Sequence, residues 1–163
     1  MMNILIGNML MLIGSCAKVI SGLAKTKHAS LFWQIIQSIF MAIGSLVLGS
    51  VPAALTTAFA ILRNVLEQKG LLNKNLKIAF IVVVTTISLA ANNCGWIGLL
   101  PIIAFIISTI SISLKDVSKF KKATALVNII FFVNDMLIYS FTSAIFNIVS
   151  MCSNLYRAHK TTV

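Results

Sequence analysis

The chain has 163 residues, 59% apolar and 10% charged, with thirteen Lys and Arg against three Asp and Glu. A soluble domain carries about 25% charged residues, so a chain this poor in charge cannot clothe a soluble surface. The net charge of +10 does not make a nucleic-acid binder either, because the charges stand at helix ends, without aromatic interleaving and without a single basic face.

A helix needs about 20 apolar residues to cross the hydrocarbon. Taken in chain order, the sequence predicts seven spans and an all-α membrane protein. Span one covers 3–23. It lacks a basic leader and a small-residue cleavage signature, so it reads as a retained helix and not as a signal peptide. Span two covers 31–49, and Gly49-Ser50-Val51-Pro52 turns it into span three, 52–68. Pro52 suits a first helical turn, where its missing N–H costs nothing. The polar stretch from Glu67 to Lys77 is the longest loop. Span four, 77–92, is the shortest and ends at Asn92-Asn93-Cys94-Gly95. Spans five, six and seven cover 96–114, 120–138 and 141–158, with Tyr139-Ser140-Phe141-Thr142 between the last two.

Twelve of the thirteen basic residues fall into four clusters: Lys25/Lys27, Arg63/Lys69/Lys74/Lys77, Lys115/Lys119/Lys121/Lys122 and Arg157/Lys160. The turns around Ser50, Asn92 and Ser140 carry none. Positive residues resist translocation and mark the cytoplasmic side. Seven spans with clusters after the odd-numbered ones place the N-terminus outside and the C-terminus in the cytoplasm. Lys18 is the exception. It lies inside span one, within reach of the cytoplasmic end, and is expected to snorkel there; facing a cavity is the alternative.

Shifting the chain by 90 residues without gaps aligns its punctuation. Lys25 meets Lys115, Ser50 meets Ser140, Ala54 meets Ala144 and Asn64 meets Asn154. The expectation is a 3+1+3 architecture of parallel repeats related by an axis along the membrane normal. Residues 1–70 form the first three-helix unit, 71–94 a linker helix and 95–163 the second unit.

Polar side chains within spans are expensive in lipid and face the bundle interior. In span seven Ser143, Asn147, Ser150 and Asn154 share one helical face. Ala53, Thr57, Ala60 and Asn64 are their counterparts in span three. In span six Thr124, Asn128, Phe131 and Asp135 use the same spacing, answered in span two by Gln34, Ser38, Met41 and Ser45, with Gln37 beside them. These stripes are expected to line a central cavity, with Asn147, Asn128, Thr57, Ser38, Gln37 and Ser150 as the substrate-cavity candidates. The competing role for such residues is helix–helix packing through hydrogen bonds. Asp135, about one turn from the outer end, is a candidate for an outer gate or proton sensing, against simple interfacial hydration. Pro101 breaks a backbone hydrogen bond in span five and is a candidate hinge. Glu67 and Asp116 read as solvated, and Cys16, Cys94 and Cys152 as small buried hydrophobes.

No paired carboxylates, activated nucleophile, metal-ligand spacing or phosphate loop appears, so neither an enzyme, a metal nor a cofactor is expected. Leu48-Gly49-Ser50-Val51-Pro52-Ala53-Ala54-Leu55 with Arg63-Asn64, Gly98-Leu99-Leu100-Pro101, and Asn154 with Arg157 resemble the YgjV family of bacterial inner-membrane proteins. That resemblance covers most of the chain and implies a multi-pass protein of the cytoplasmic membrane. The family is similar in layout to SWEET, PQ-loop and PnuC-type transporters. In SWEETs an Asn pair from spans three and seven contacts sugar; here the seventh-span position is Asn147 and its partner is Thr57, and there is no Pro-Gln signature. The expected function is transport of a small polar solute by alternating access, with the bilayer as the surrounding partner and the oligomeric state open. The alternative is a non-transporting membrane interaction protein, whose core would be packed shut.

Overall fold

In the computed structural model, which describes residues 2–161, the chain is all-helical. The α-helices are α1 (Met2–Leu23), α2 (Lys27–Val47), α3 (Val51–Gln68), α4 (Lys74–Ala90), α5 (Leu99–Ser111), α6 (Val117–Leu137) and α7 (Phe141–Lys160). A 3-10 helix, Gly95–Gly98, runs directly into α5. At 1.5 Å per residue, α2 and α6 are about 32 Å long, the thickness of a bilayer's hydrocarbon. By length and composition α1 and α2 are apolar enough to cross a membrane. The helices α3, α6 and α7 carry polar residues on one face, which lowers their mean hydropathy without exposing those residues.

The distribution of side chains is inverted relative to a soluble protein. Ser15, Ser38, Thr56, Asn64, Asn128 and Asn147 are buried, while Ile78 and Val82 of α4, Ile129 of α6 and Ile145 of α7 are exposed. Water would penalise such a surface and lipid would not.

Helix ends follow local sequence. Thr26 caps α2, accepting from the Ala29 amide at 3.2 Å; Asn73 caps α4, accepting from Leu76 at 2.8 Å. Asp116 caps α6, accepting from Ser118 at 2.8 Å and Lys119 at 3.4 Å. Asp116 is exposed, as expected, and caps as well; Glu67 is only half-buried and is engaged in an ion pair with Lys27.

The 90-residue shift carries α2 onto α6 at both ends, and the starts of α3 and α7 coincide. The turns before α3 and α7 also correspond: Gly49 has φ +80°, and Tyr139 has φ +61°, an uncommon conformation for a residue with a Cβ. Each turn is clamped by an asparagine from elsewhere. Asn93 donates to Gly49 O at 2.7 Å and accepts from the Val51 amide at 3.3 Å. Asn8 donates to Tyr139 O at 3.3 Å and accepts from the Thr142 amide at 3.1 Å. Pro52 stands where Thr142 does and has no N–H, so the clamp there uses Val51.

Helices α1, α2 and α3 pack in series, as do α5, α6 and α7, and the two sets meet along α1/α7 and α3/α5. The result is a ring of six helices, with α4 outside it against α3 and α5. Close approach of α1 and α2 rests on small residues: a Cβ on Gly14 would lie 3.0 Å from Gln37 O, and one on Gly44 would lie 2.7 Å from Met11 Cγ. Phe80, Val84 and Ser88 recur on the buried face of α4, and the remaining bulk of that helix is exposed.

Three expectations change. Helix α5, with 13 residues, is shorter than α4, with 17. Pro101 falls in the first turn of α5 because the segment before it is 3-10; there it interrupts no α-helical ladder, and no mid-span break exists for it to hinge. Cys16 and Cys152 are exposed on the apolar outside of the ring and Cys94 is half-buried, so none is a core residue.

Candidate functional site

The ring encloses a cavity of about 100 Å³. Its wall is drawn from α1, α2, α3, α5, α6 and α7, with no residue of α4. The polar stripes converge on it. Gln34, Ser38, Met41 and Ser45 line it from α2, with Gln37; Ala53, Thr57, Ala60 and Asn64 line it from α3. Thr124, Asn128, Phe131 and Asp135 line it from α6, and Ser143, Ser150 and Asn154 from α7. A ligand pocket is typically about 300–1,000 Å³, so this cavity has the room of only a few waters.

Asn147 departs from the others. It is fully buried but is not part of the cavity wall. Its carboxamide bridges two charged residues instead: Lys18 Nζ donates to its Oδ1 at 2.6 Å, and its Nδ2 donates to Asp135 Oδ2 at 2.8 Å. Asn134, adjacent in α6, donates to the other Asp135 oxygen at 3.1 Å. Asp135 is 5% exposed despite lying two residues from the end of α6, which removes the interfacial-hydration reading. Of the remaining candidates, Asn128 donates to Ser150 Oγ at 3.0 Å across α6/α7, and Asn154 donates to the same hydroxyl at 3.3 Å. Ser38 is buried, and Thr57 and Gln37 are half-buried.

Three basic residues stand inside the protein. Lys18 does not snorkel; it is 5% exposed, lines the cavity and lies 5.8 Å from the centre of the Phe131 ring. The reason is steric. Helical side chains lean toward the N-terminus of their own helix, so a lysine five residues before the end of α1 is carried away from that end, and its place on the buried face with Gly14, Ser15 and Ser21 turns it into the bundle. Arg63 occupies the same position in α3, five residues before Gln68. It is 3% exposed, lines the cavity, and bridges α3 to α5 through Ser108 Oγ at 2.6 Å and Thr109 Oγ1 at 2.9 Å. Its Nε and Nη2 both donate to Asn64 Oδ1, at 3.1 and 2.8 Å, and the Phe105 ring centre is 5.2 Å away. Lys121 is fully buried near the start of α6, donating to Ser21 O at 2.5 Å and Ser30 Oγ at 3.1 Å.

Charge clustering placed Arg63 and Lys121 at the cytoplasmic ends of their helices, with water in reach. Their position within the helix, together with side-chain lean, was the signal that separates Arg63 from its neighbours. Lys121 carried no comparable signal, because its acceptors come from α1 and from the first turn of α2, both remote in sequence. Among the described residues no three His, Cys, Asp or Glu side chains gather as a metal site.

No match is found among curated proteins or among solved structures. A family of bacterial inner membrane proteins, Imp-YgjV, matches residues 5–162. That match spans nearly the whole sequence, and the chain belongs to the Imp-YgjV family, whose members are bacterial inner membrane proteins.

Proposed function

We propose that the protein is a small-solute transporter, non-enzymatic, with seven transmembrane helices, an outside N-terminus and a cytoplasmic C-terminus. In this reading α1–α3 and α5–α7 are parallel repeats, α4 is the linker that restores orientation, and rocking of one unit against the other alternates access to the cavity. The observation that carries the reading is the cavity itself, on which the polar stripes converge: both three-helix sets contribute to its wall and α4 does not. The coincidence of helix ends at a 90-residue shift supports the repeat, and the basic clusters support the orientation. A volume of about 100 Å³ fits an occluded conformation between two open ones. The similarity in layout to SWEET and PnuC-type proteins adds to this reading and gives no substrate.

The second reading, an integral interaction protein, is favoured by one observation. The Asn147 carboxamide is already bonded through both ends, as in a packed core. The two readings separate by accessibility. In a variant lacking native cysteines, Thr57→Cys or Ser38→Cys in a transporter reacts with a small water-soluble thiol reagent at a rate that depends on added solute, and the purified protein in liposomes takes up that solute. Uniformly unreactive cysteines, with no uptake across a broad panel of sugars, vitamins, amino acids and organic acids, would remove the transporter reading.

A further inference from the structure

The cavity has more positive charge than it can answer. Lys18 and Arg63 both line it, on the α1/α7 and α3/α5 seams, against the single carboxyl of Asp135. The chain offers them no other directly bonded acid; Glu67, one turn along α3 from Arg63, attracts the guanidinium only at a distance. It has three Asp and Glu in all; Glu67 is paired with Lys27 and Asp116 caps α6. Lys18 reaches Asp135 through Asn147, so that pair is connected. Arg63 is not: its four side-chain hydrogen bonds all end on neutral oxygens, those of Asn64, Ser108 and Thr109. A buried guanidinium is normally matched by a carboxylate or phosphate, and the absence of a directly bonded one beside a cavity with room for a few waters leaves that place for a very small ligand. Phe105 covers the guanidinium and Phe131 the ammonium, so each charge has an aromatic neighbour. Small volume and a positive surplus together fit a short carboxylate better than a sugar or a cation.

We propose that the cavity binds a small monovalent carboxylate, with Arg63 as its principal charge partner and Lys18 as the second. This rests on the reading of the cavity as a solute site, but binding can be tested apart from transport. The purified protein in detergent is titrated with sodium formate, acetate and lactate and followed by its unfolding temperature. Sodium chloride and nitrate at matched ionic strength, glycerol, and choline chloride are the comparisons. Saturable stabilisation by a carboxylate, beyond that of chloride or nitrate, is the expected result. Arg63→Gln is expected to weaken that binding by about tenfold or more, and Arg63→Lys, which keeps a charge but not the planar fork, to retain part of it. Should Arg63→Gln fail to fold, Lys18→Gln and Arg63→Lys provide the same comparison. Stabilisation by glycerol or choline in preference to carboxylates, equal stabilisation by chloride, or carboxylate affinity unchanged in the charge-removing variants would overturn the proposal. Carboxylate binding without uptake in liposomes would sink transport and leave the anion site standing. Uptake of a neutral solute without carboxylate binding would do the reverse.

Discussion

Replacing Asn147 by Leu isolates the bridge between Lys18 and Asp135. The substitution keeps the heavy-atom count and branching of the side chain, with bulkier methyl ends, and removes both polar ends. Lys18 Nζ loses its 2.6 Å acceptor and Asp135 Oδ2 loses its 2.8 Å donor. Hydrogen bonds to charged groups contribute about 1.5–3 kcal/mol each, against an average of about 0.6 kcal/mol for neutral interhelical bonds in membranes. Asp135 keeps the Asn134 amide at 3.1 Å, and the two charges can move toward each other, which recovers part of the loss. The expected destabilisation is therefore about 2–4 kcal/mol, clearly above that of an ordinary polar contact in a bilayer. Equilibrium unfolding in mixed micelles measures it. The combined variant Lys18→Met, Asn147→Leu, Asp135→Leu removes both charges with the bridge and should return most of the stability, because a buried charge pair replaced as a whole is close to neutral. A single Asn147→Leu variant within about 0.5 kcal/mol of the parent would refute the reasoning, since the amide would then be a bystander between two charges that do not need it.

Gly14→Leu should separate α1 from α2, because its nearest obstacle is the Gln37 backbone oxygen at 3.0 Å, which cannot turn aside; a loss of about 2 kcal/mol or more in the same unfolding assay is expected. The turns before α3 and α7 should respond in opposite directions: Gly49→Ala loses about 1 kcal/mol at its φ of +80°, while Tyr139→Gly relieves a comparable strain at +61° and is neutral or stabilising. An impermeant maleimide applied to intact spheroplasts should label Cys94 and leave Cys16 and Cys152, on the lipid-facing surface, unmodified. Labelling of Cys94 only from the cytoplasmic side would invert the proposed orientation.

The helices were legible because lipid imposes a coarse rule: stretches without charge, broken by polar turns, must be helical. The turns at Ser50 and Ser140 left a mark in the sequence, whereas the starts of α2 and α6, set by the capping side chains of Thr26 and Asp116, lie three or four residues before the apolar runs that a hydropathy reading follows. The cavity was legible for a similar reason. A residue at helical spacing shares a face with its neighbours, and polar faces in lipid turn inward, so the four stripes converge on one cavity with Asn147 as the exception. That exception was not readable from α7. It depends on a lysine 129 positions away in the chain. Pro101 was misplaced because the 3-10 helix before it is invisible to a hydropathy profile, which counts apolar residues without distinguishing one helical pitch from another.

The basic residues divide by geometry and not by type. Lysines in the loops, or at the last residues of a helix, have water within reach. Lys18 and Arg63 stand far enough inside α1 and α3 that the lean of a helical side chain toward its own N-terminus carries the charge inward. Both helices end at basic clusters, so the same lean acts in the same direction at both. The position equivalent to Lys18 under the 90-residue shift is Ser108, the hydroxyl that receives Arg63. Each seam between the helix sets thus holds one buried cation, contributed by the first helix at α1/α7 and by the third helix at α3/α5. A symmetric pair of lysines would have placed two ammonium groups on opposite seams with one carboxyl between them. The observed exchange keeps a cation on each wall, but lets the guanidinium tie α3 to α5 through neutral hydroxyls while the ammonium ties α1 to α7 through Asn147 toward Asp135. The seams are therefore unequal in charge, and any motion that opens one of them exposes a different chemistry from the other: a guanidinium with no directly bonded acid on one side, an ammonium linked through an amide to a carboxyl on the other.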